Sequence, residues 1–452
     1  MNVKYSKRIL LLLLIFYVCI NIISLRSGGI YLSGDAVGYY QLALNLMEGH
    51  GFSRCDSEPY LPDAVRTPMY PLFMLIFLAL FGRSFPLFFI TLAQSFLAIL
   101  ILLILKKICD VMDTSKTKVS SLWAVLIFGL SPGFINSILI LYSEILLLFS
   151  LASAVLFFIL LEKEINKSKK TILSIPMGFT LGIMILVKPI MQIVAFFILF
   201  YFIIKKRFKE TVLILITFIM TMSPWLWRNY RTFGRIDISC TDDFNIYAYT
   251  ARPLVSPQEF NLYTEEGLPL DFSNTQNTQK LCPATIGWLD FYHAEQYKHV
   301  GIMIIKDHWK KYAFKAITNL IDFPLERGPN IATKIFNLDY KKYKLVQLRS
   351  KIIDFKFIMI LIGAAYDFIY RLIFYGFAAL GLGYSLLKKG NFHKSLYILF
   401  LFLSLAFILT VSFIMIDDFD QWRLILPGQF LMMFFIPFAV DQISKKLKFQ
   451  IS

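Results

Sequence analysis

A small set of charged side chains has the types needed for one piece of chemistry: Asp35, Arg66, Glu144, Lys188, Arg228 and Arg423. Each stands at the edge of an apolar run. Arginine forks, and a lysine ammonium, suit the oxygens of a phosphate. A carboxylate kept ionised beside such cations can take the proton of an attacking hydroxyl. Together they suit a substrate with a phosphate and a hydroxyl.

Each residue also has an ordinary structural reading. Asp35 stands where an N-cap belongs. Arg66, Arg228 and Lys188 can snorkel to lipid headgroups. Glu144 opens an apolar run, where an acid complements the helix dipole. Trp225, Trp227 and Tyr230 read as an interfacial aromatic belt. Asp367 and Arg371 are spaced to pair with each other. His293 and His299 lack the spacing of a metal site. What lifts the charged set above these readings is its common side of a membrane.

The stretch 33–71 carries the first two of these residues. Tyr39, Leu42, Ala43, Leu46 and Met47 recur at helical spacing, with Gly38, Gln41, Asn45 and Glu48 opposite. That pattern predicts an amphipathic helix lying at the membrane surface. Gly49 and Gly51 end it. A polar loop follows, then Arg66-Thr67-Pro68-Met69-Tyr70-Pro71 leads into apolar sequence.

The chain of 452 residues is 57% hydrophobic and 17% charged, against about 25% charged in soluble domains. Runs 9–23, 85–105, 212–227, 396–416 and 424–440 are nearly free of charge. This predicts an all-α polytopic membrane protein, since helices satisfy their own backbone in lipid. The first run lacks a small-residue cleavage site and reads as an anchor. The net charge of +16 is explained largely by orientation, because Lys and Arg cluster in alternate loops. No basic patch interleaved with aromatics points to nucleic acid. The five cysteines form no CxxC, which removes zinc and dithiol motifs. Pairing of Cys240 with Cys282 stays open.

With Lys4, Lys7 and Arg8 in the cytoplasm, the charge rule gives about ten spans. They are 9–23, 85–105, two sharing 119–161 with a break at Ser131-Pro132-Gly133, two sharing 171–204 with a turn at Lys188-Pro189, 212–227, 367–387, 396–416 and 424–440. Segment 70–81 is too short to span and reads as re-entrant or surface-bound. The predicted organisation is a membrane region 1–227, whose first outer loop (26–84) carries the site, an extracytoplasmic domain 228–356 with an amphipathic helix near 293–321, and a membrane region 357–452. The charged set then lies on the outer face.

The chain resembles the GT-C class of membrane glycosyltransferases, in particular family 39, related to polyprenyl-phosphate-mannose protein mannosyltransferases and the lipid A aminoarabinose transferase. The resemblance rests on the Gly34-Asp35 loop through Gly51-Phe52-Ser53, on Arg66-Thr67-Pro68-Met69-Tyr70-Pro71, on Tyr142-Ser143-Glu144, on Lys188-Pro189 where Arg-Pro is usual, on Pro224-Trp225 followed by Arg228-Asn229-Tyr230 and Phe233-Gly234, and on Trp422-Arg423. It covers residues 1–235 and, more loosely, the last two spans. It implies a GT-C fold and transfer of a hexosyl or pentosyl group, with inversion, from a polyprenyl-phosphate donor to an extracytoplasmic glycan, lipid or protein hydroxyl. Asp35 would be the base, or would position the acceptor hydroxyl. Arg66 and Arg228, with Lys188 and Arg423, would hold the donor phosphate, and Tyr39, Tyr70 and Glu144 would support. No cofactor or metal is expected. Asp35-Ala36 stands where protein mannosyltransferases carry Asp-Glu, which counts against a protein acceptor. Two other functions stay open: a transporter or flippase of lipid-linked sugars, and a polysaccharide polymerase or ligase using a diphosphate-linked donor.

Overall fold

The computed structural model describes residues 3–28, 32, 34–83, 86–112, 120–256, 259, 291–322, 355–387, 398–406, 409 and 421–451. Among these, the regular elements are helical. They are α1 (Val3–Arg26), α2 (Asp35–Glu48), α3 (Met69–Phe81), α4 (Pro86–Met112), α5 (Ser120–Gly129), α6 (Pro132–Leu139), α7 (Glu144–Lys163), α8 (Lys167–Val187), α9 (Gln192–Ile204), α10 (Phe208–Phe233), α11 (Thr241–Asn245), α12 (Phe291–Asp307), α13 (Trp309–Asp322), α14 (Phe355–Leu387), α15 (Gln421–Met432) and α16 (Ile436–Ile451).

Among the described residues six helices are long and apolar enough to cross a membrane: Ser6–Arg26, Pro86–Met112, Glu144–Lys163, Lys167–Val187, Phe208–Phe233 and Leu426–Ser444. This is a multi-pass membrane protein. The pair α5–α6, bent by 53°, makes up to seven. The bend falls at the expected Ser-Pro break: Ser131 caps α6 by accepting from Phe134 N–H, and Pro132 occupies its first turn.

Several expected spans differ. The one ending at 204 is the 13-residue α9, roughly 20 Å long against a core of about 30 Å. The one starting at 367 belongs to a continuous 33-residue helix, α14, that begins at Phe355. Most of 396–416 lies outside the described residues. α10 runs six residues past the expected exit at 227, because Pro224 is accommodated inside it and no terminator comes before Gly234, a left-handed C-cap. The amphipathic helix expected at 293–321 is two helices, broken at His308.

Close packing of α8 on α10 needs glycine. A Cβ on Gly178 would lie 1.9 Å from Thr217 Oγ1, and one on Gly182 2.7 Å from Thr221 Cβ. Small residues four apart let two helix backbones meet in lipid. Beyond the bundle core there are two smaller clusters. One joins α2, α3 and the 141–142 turn through Tyr39, Tyr70, Met74 and Tyr142. The other lies in the region expected to be the outer domain, where Tyr247, Phe291, Tyr297 and Ile304 enclose Ala64 and Val65 of the first loop.

Candidate active site

The site starts at Gly34. Its φ is +54°, and a Cβ there would lie 2.8 Å from the Tyr142 hydroxyl. Glycine alone permits this turn at low cost. The turn delivers Asp35 to the first position of α2, and no side chain caps that helix. The capping reading of Asp35 therefore fails. Its carboxylate instead accepts from two arginines: Arg66 Nη2 at 2.5 Å on Oδ1 and Arg423 Nη1 at 2.8 Å on Oδ2.

Arg66 comes from the loop before α3 and does not snorkel. Its guanidinium sits 5.0 Å from the Tyr39 ring centroid, and Tyr39 meets Tyr70 edge to face at 5.0 Å. The loop is shaped by Asp63, a residue the sequence reading passed over. Its Oδ1 accepts from Val65 N–H and Arg66 N–H at 2.9 and 2.7 Å, and its Oδ2 pairs with buried Arg54. Asn45 anchors the other end, donating to the carbonyls of Ser53 and Cys55, both at 2.7 Å. The expected polar face of α2 is thus partly buried, because the loop folds over Gly38 and Asn45.

Arg423 comes from α15. Its guanidinium lies 4.4 Å from the Tyr142 ring centroid and its Nε 4.0 Å from Glu144 Oε1. Glu144, at the start of α7, is 1% exposed. Lys188, the C-cap of α8, holds the same Oε1 at 2.6 Å. Asp35, Arg423, Glu144 and Lys188 therefore form one continuous ion chain, with Arg66 at its free end. Glu144 Oε2 and Arg66 Nε are buried and have no hydrogen-bond partner among the described residues. An orphaned acceptor and an orphaned donor leave capacity for a polar ligand.

Burial alone would push the Asp35 carboxyl up; Arg66 and Arg423 outweigh it and hold the group well below the usual carboxylate range. Burial likewise opposes the Arg66 charge, but Asp35 outweighs it and raises that pKa.

Arg228 stands apart from this chain. Its Nη1 donates to the Asp63 carbonyl and to Asn229 Oδ1, both at 2.8 Å. Its guanidinium packs over the Phe52, Trp225 and Phe233 rings. It is a strut under the loop rather than a partner of Asp35. The aromatic belt divides: Trp227 and Tyr230 are exposed, whereas Trp225 is buried and donates to the Ile238 carbonyl at 2.8 Å. Asp367 and Arg371 pair with each other, as their spacing predicts.

No group of three His, Cys, Asp or Glu side chains placed to hold a metal occurs among the described residues. Cys240 is a buried free thiol, so it is not half of a pair with Cys282, which lies outside the described residues. Cys55 in the first loop is disulfide-bonded.

No protein-family model and no curated protein matches the chain. Solved structures with a similar layout are the oligosaccharyltransferase of Archaeoglobus fulgidus in its apo form, at 11% identity and a TM-score of 0.45 over 99% of this chain, and ArnT from Cupriavidus metallidurans bound to undecaprenyl phosphate, at 12% identity and 0.40 over 95% of it. A further one is the archaeal oligosaccharyltransferase AglB from Archaeoglobus fulgidus in complex with an inhibitory peptide and a dolichol-phosphate, at 12% identity and 0.44. The chain spans about half the length of the first oligosaccharyltransferase (52%) and 77% of ArnT.

Proposed function

We propose that this protein is a GT-C glycosyltransferase that moves a sugar from a polyprenyl-phosphate donor to a hydroxyl acceptor on the extracytoplasmic face of the cytoplasmic membrane. The observation that carries the reading is the ion chain: one carboxylate between two guanidinium groups, beside a buried Glu–Lys pair. The disulfide at Cys55 supports an oxidising face for the first loop.

The chemistry follows from competition for the arginines. Without donor, Arg66 and Arg423 saturate Asp35 and keep it a weak base. A donor phosphate recruits the same forks, and Lys188 adds charge. As its bonds to arginine are shared, Asp35 regains basicity and takes the acceptor's proton. The acceptor oxygen bonds to the anomeric carbon from the face opposite the phosphate. The carbon–oxygen bond to phosphate breaks, and polyprenyl phosphate leaves with the electron pair, its charge held by the arginines. Configuration inverts. Arg228 acts indirectly, by fixing the Asp63 carbonyl and so the loop that presents Arg66.

The test is transfer by purified protein from a panel of labelled polyprenyl-phosphate sugars, with membrane extract as acceptor. Wild type should release label from one donor, and Asp35→Asn should not. A folded Asp35→Asn protein with full transfer activity would sink the assignment. Intact donors that cross liposomes only with the protein present would identify a flippase. Preference for a diphosphate-linked donor would identify a polymerase or ligase.

A further inference from the structure

We infer that Gln94, in the third turn of the apolar helix α4, is the positioning residue that holds the two walls of the candidate site in register. Gln94 is fully buried. Its Oε1 accepts from the Tyr70 hydroxyl at 2.6 Å. Its Nε2 donates to the carbonyls of Ile138 at 2.8 Å and Ile140 at 3.0 Å, with a longer contact to Ser137 O at 3.4 Å.

Those carbonyls explain why an amide is needed. α6 ends at Leu139, and the last carbonyls of any helix lack intrahelical partners. In an apolar surround, each one left unpaired is costly. Gln94 satisfies the Ile138 carbonyl and adds a second donor to that of Ile140, which also accepts from Tyr142 N–H at 2.9 Å, and so fixes the path of the chain just before Tyr142 and Glu144. That is the wall bearing Glu144, with Arg423 over the Tyr142 ring.

The other wall hangs on the same amide. Tyr70, held by Oε1, packs edge-on against Tyr39, and Arg66 sits over Tyr39. One carboxamide therefore braces Arg66 through two rings and Glu144 through a backbone turn. Glutamate, held neutral by this apolar surround, keeps an acceptor but offers one O–H donor in place of two N–H, too few for both carbonyls. Methionine keeps the volume and loses both functions. Asparagine is one methylene short.

The catalytic consequence rests on the proposed transfer reaction; the bracing itself does not. The experiment compares full-length wild type, Gln94→Met and Gln94→Glu in lipid nanodiscs by hydrogen exchange and by transfer kinetics. In Gln94→Met, amides 140–144 should exchange at least about tenfold faster, while α4 and α10 keep their protection. Turnover should fall by roughly 100-fold while KM for the donor stays within about threefold, as expected when groups are misplaced by an ångström. Gln94→Glu should show the same exchange at 140–144. Unchanged exchange there, or protection lost throughout the bundle, overturns the inference. So does a Gln94→Met protein with wild-type turnover. If wild type transfers from no donor, the functional reading falls, and the exchange result still decides the role of Gln94.

Discussion

Arg423 and Asp35 are 388 positions apart in the chain and 2.8 Å apart in space. The contact ties α15 to the start of α2. Since Arg66 occupies the other carboxylate oxygen, Asp35 is held from both sides, and removing either arginine should have a distinct effect.

Arg423→Gln should raise the acid limb of the transfer–pH profile by roughly 1–3 pH units, the usual influence of one adjacent arginine on an aspartate. The sign follows from a native pKa that lies below the unfolded one. The stabilisation is present above the unfolded value, about 4, and is lost only as pH falls through the lower native value. The Asp35 contribution to wild-type melting in detergent should therefore be full and independent of pH between about pH 5 and 8. A profile unmoved by Arg423→Gln would remove that arginine as a partner.

Asp35→Asn should lose turnover by about 10²–10⁴-fold while binding polyprenyl phosphate more tightly. The variant removes the anion that competes for Arg66 and Arg423. Titration with polyprenyl phosphate measures this directly. Weaker binding would mean that the arginines do not serve the phosphate.

Gly34→Ala should destabilise the protein by about 1–2 kcal/mol from the left-handed backbone alone, with more from the Tyr142 hydroxyl 2.8 Å from the new Cβ. Tyr142→Phe removes that oxygen. The double variant should recover the steric part and keep the backbone part, read by thermal unfolding in a double-mutant cycle.

Lys188→Met should cost about 3–5 kcal/mol, because it leaves Glu144 buried with its nearest cation, Arg423, at 4.0 Å. Adding Glu144→Gln should restore much of the stability and none of the activity. Equal melting temperatures for all three proteins would show the pair to be solvated.

Asp63→Asn should act like a damaged site although Asp63 touches no proposed substrate group. Asparagine keeps one acceptor oxygen, so its NH2 must face either Arg54 or the Val65 and Arg66 N–H groups that share Oδ1, and one of the two sets is lost. Limited proteolysis should cut between 52 and 66 faster than in wild type, with lower turnover.

The sequence exposed the charged members of the site because they sit at the ends of apolar runs, where orientation logic sorts them to one face. Asp35, Arg66, Glu144, Lys188 and Arg423 do converge. Arg228 does not join them, since its sequence motif says nothing of the Asp63 carbonyl it finds. Asn45 looked like a solvated position because helical periodicity cannot see a loop folding back over it. Gln94 was invisible for a related reason: its Nε2 finds backbone carbonyls more than forty positions away, and backbone has no sequence signature. Span counting suffered where hydropathy measures length without continuity, as at α9 and α14.

Ala64 and Val65 are embedded in the small core around Tyr247 and Tyr297, and the very next residue, Arg66, grips Asp35. The loop is thus a lever with its handle in one layer and its tip in another. Only one peptide bond and the Arg66 side chain separate the Tyr247 core from the carboxylate, so the packing of that small core is part of what sets the Asp35–Arg66 geometry.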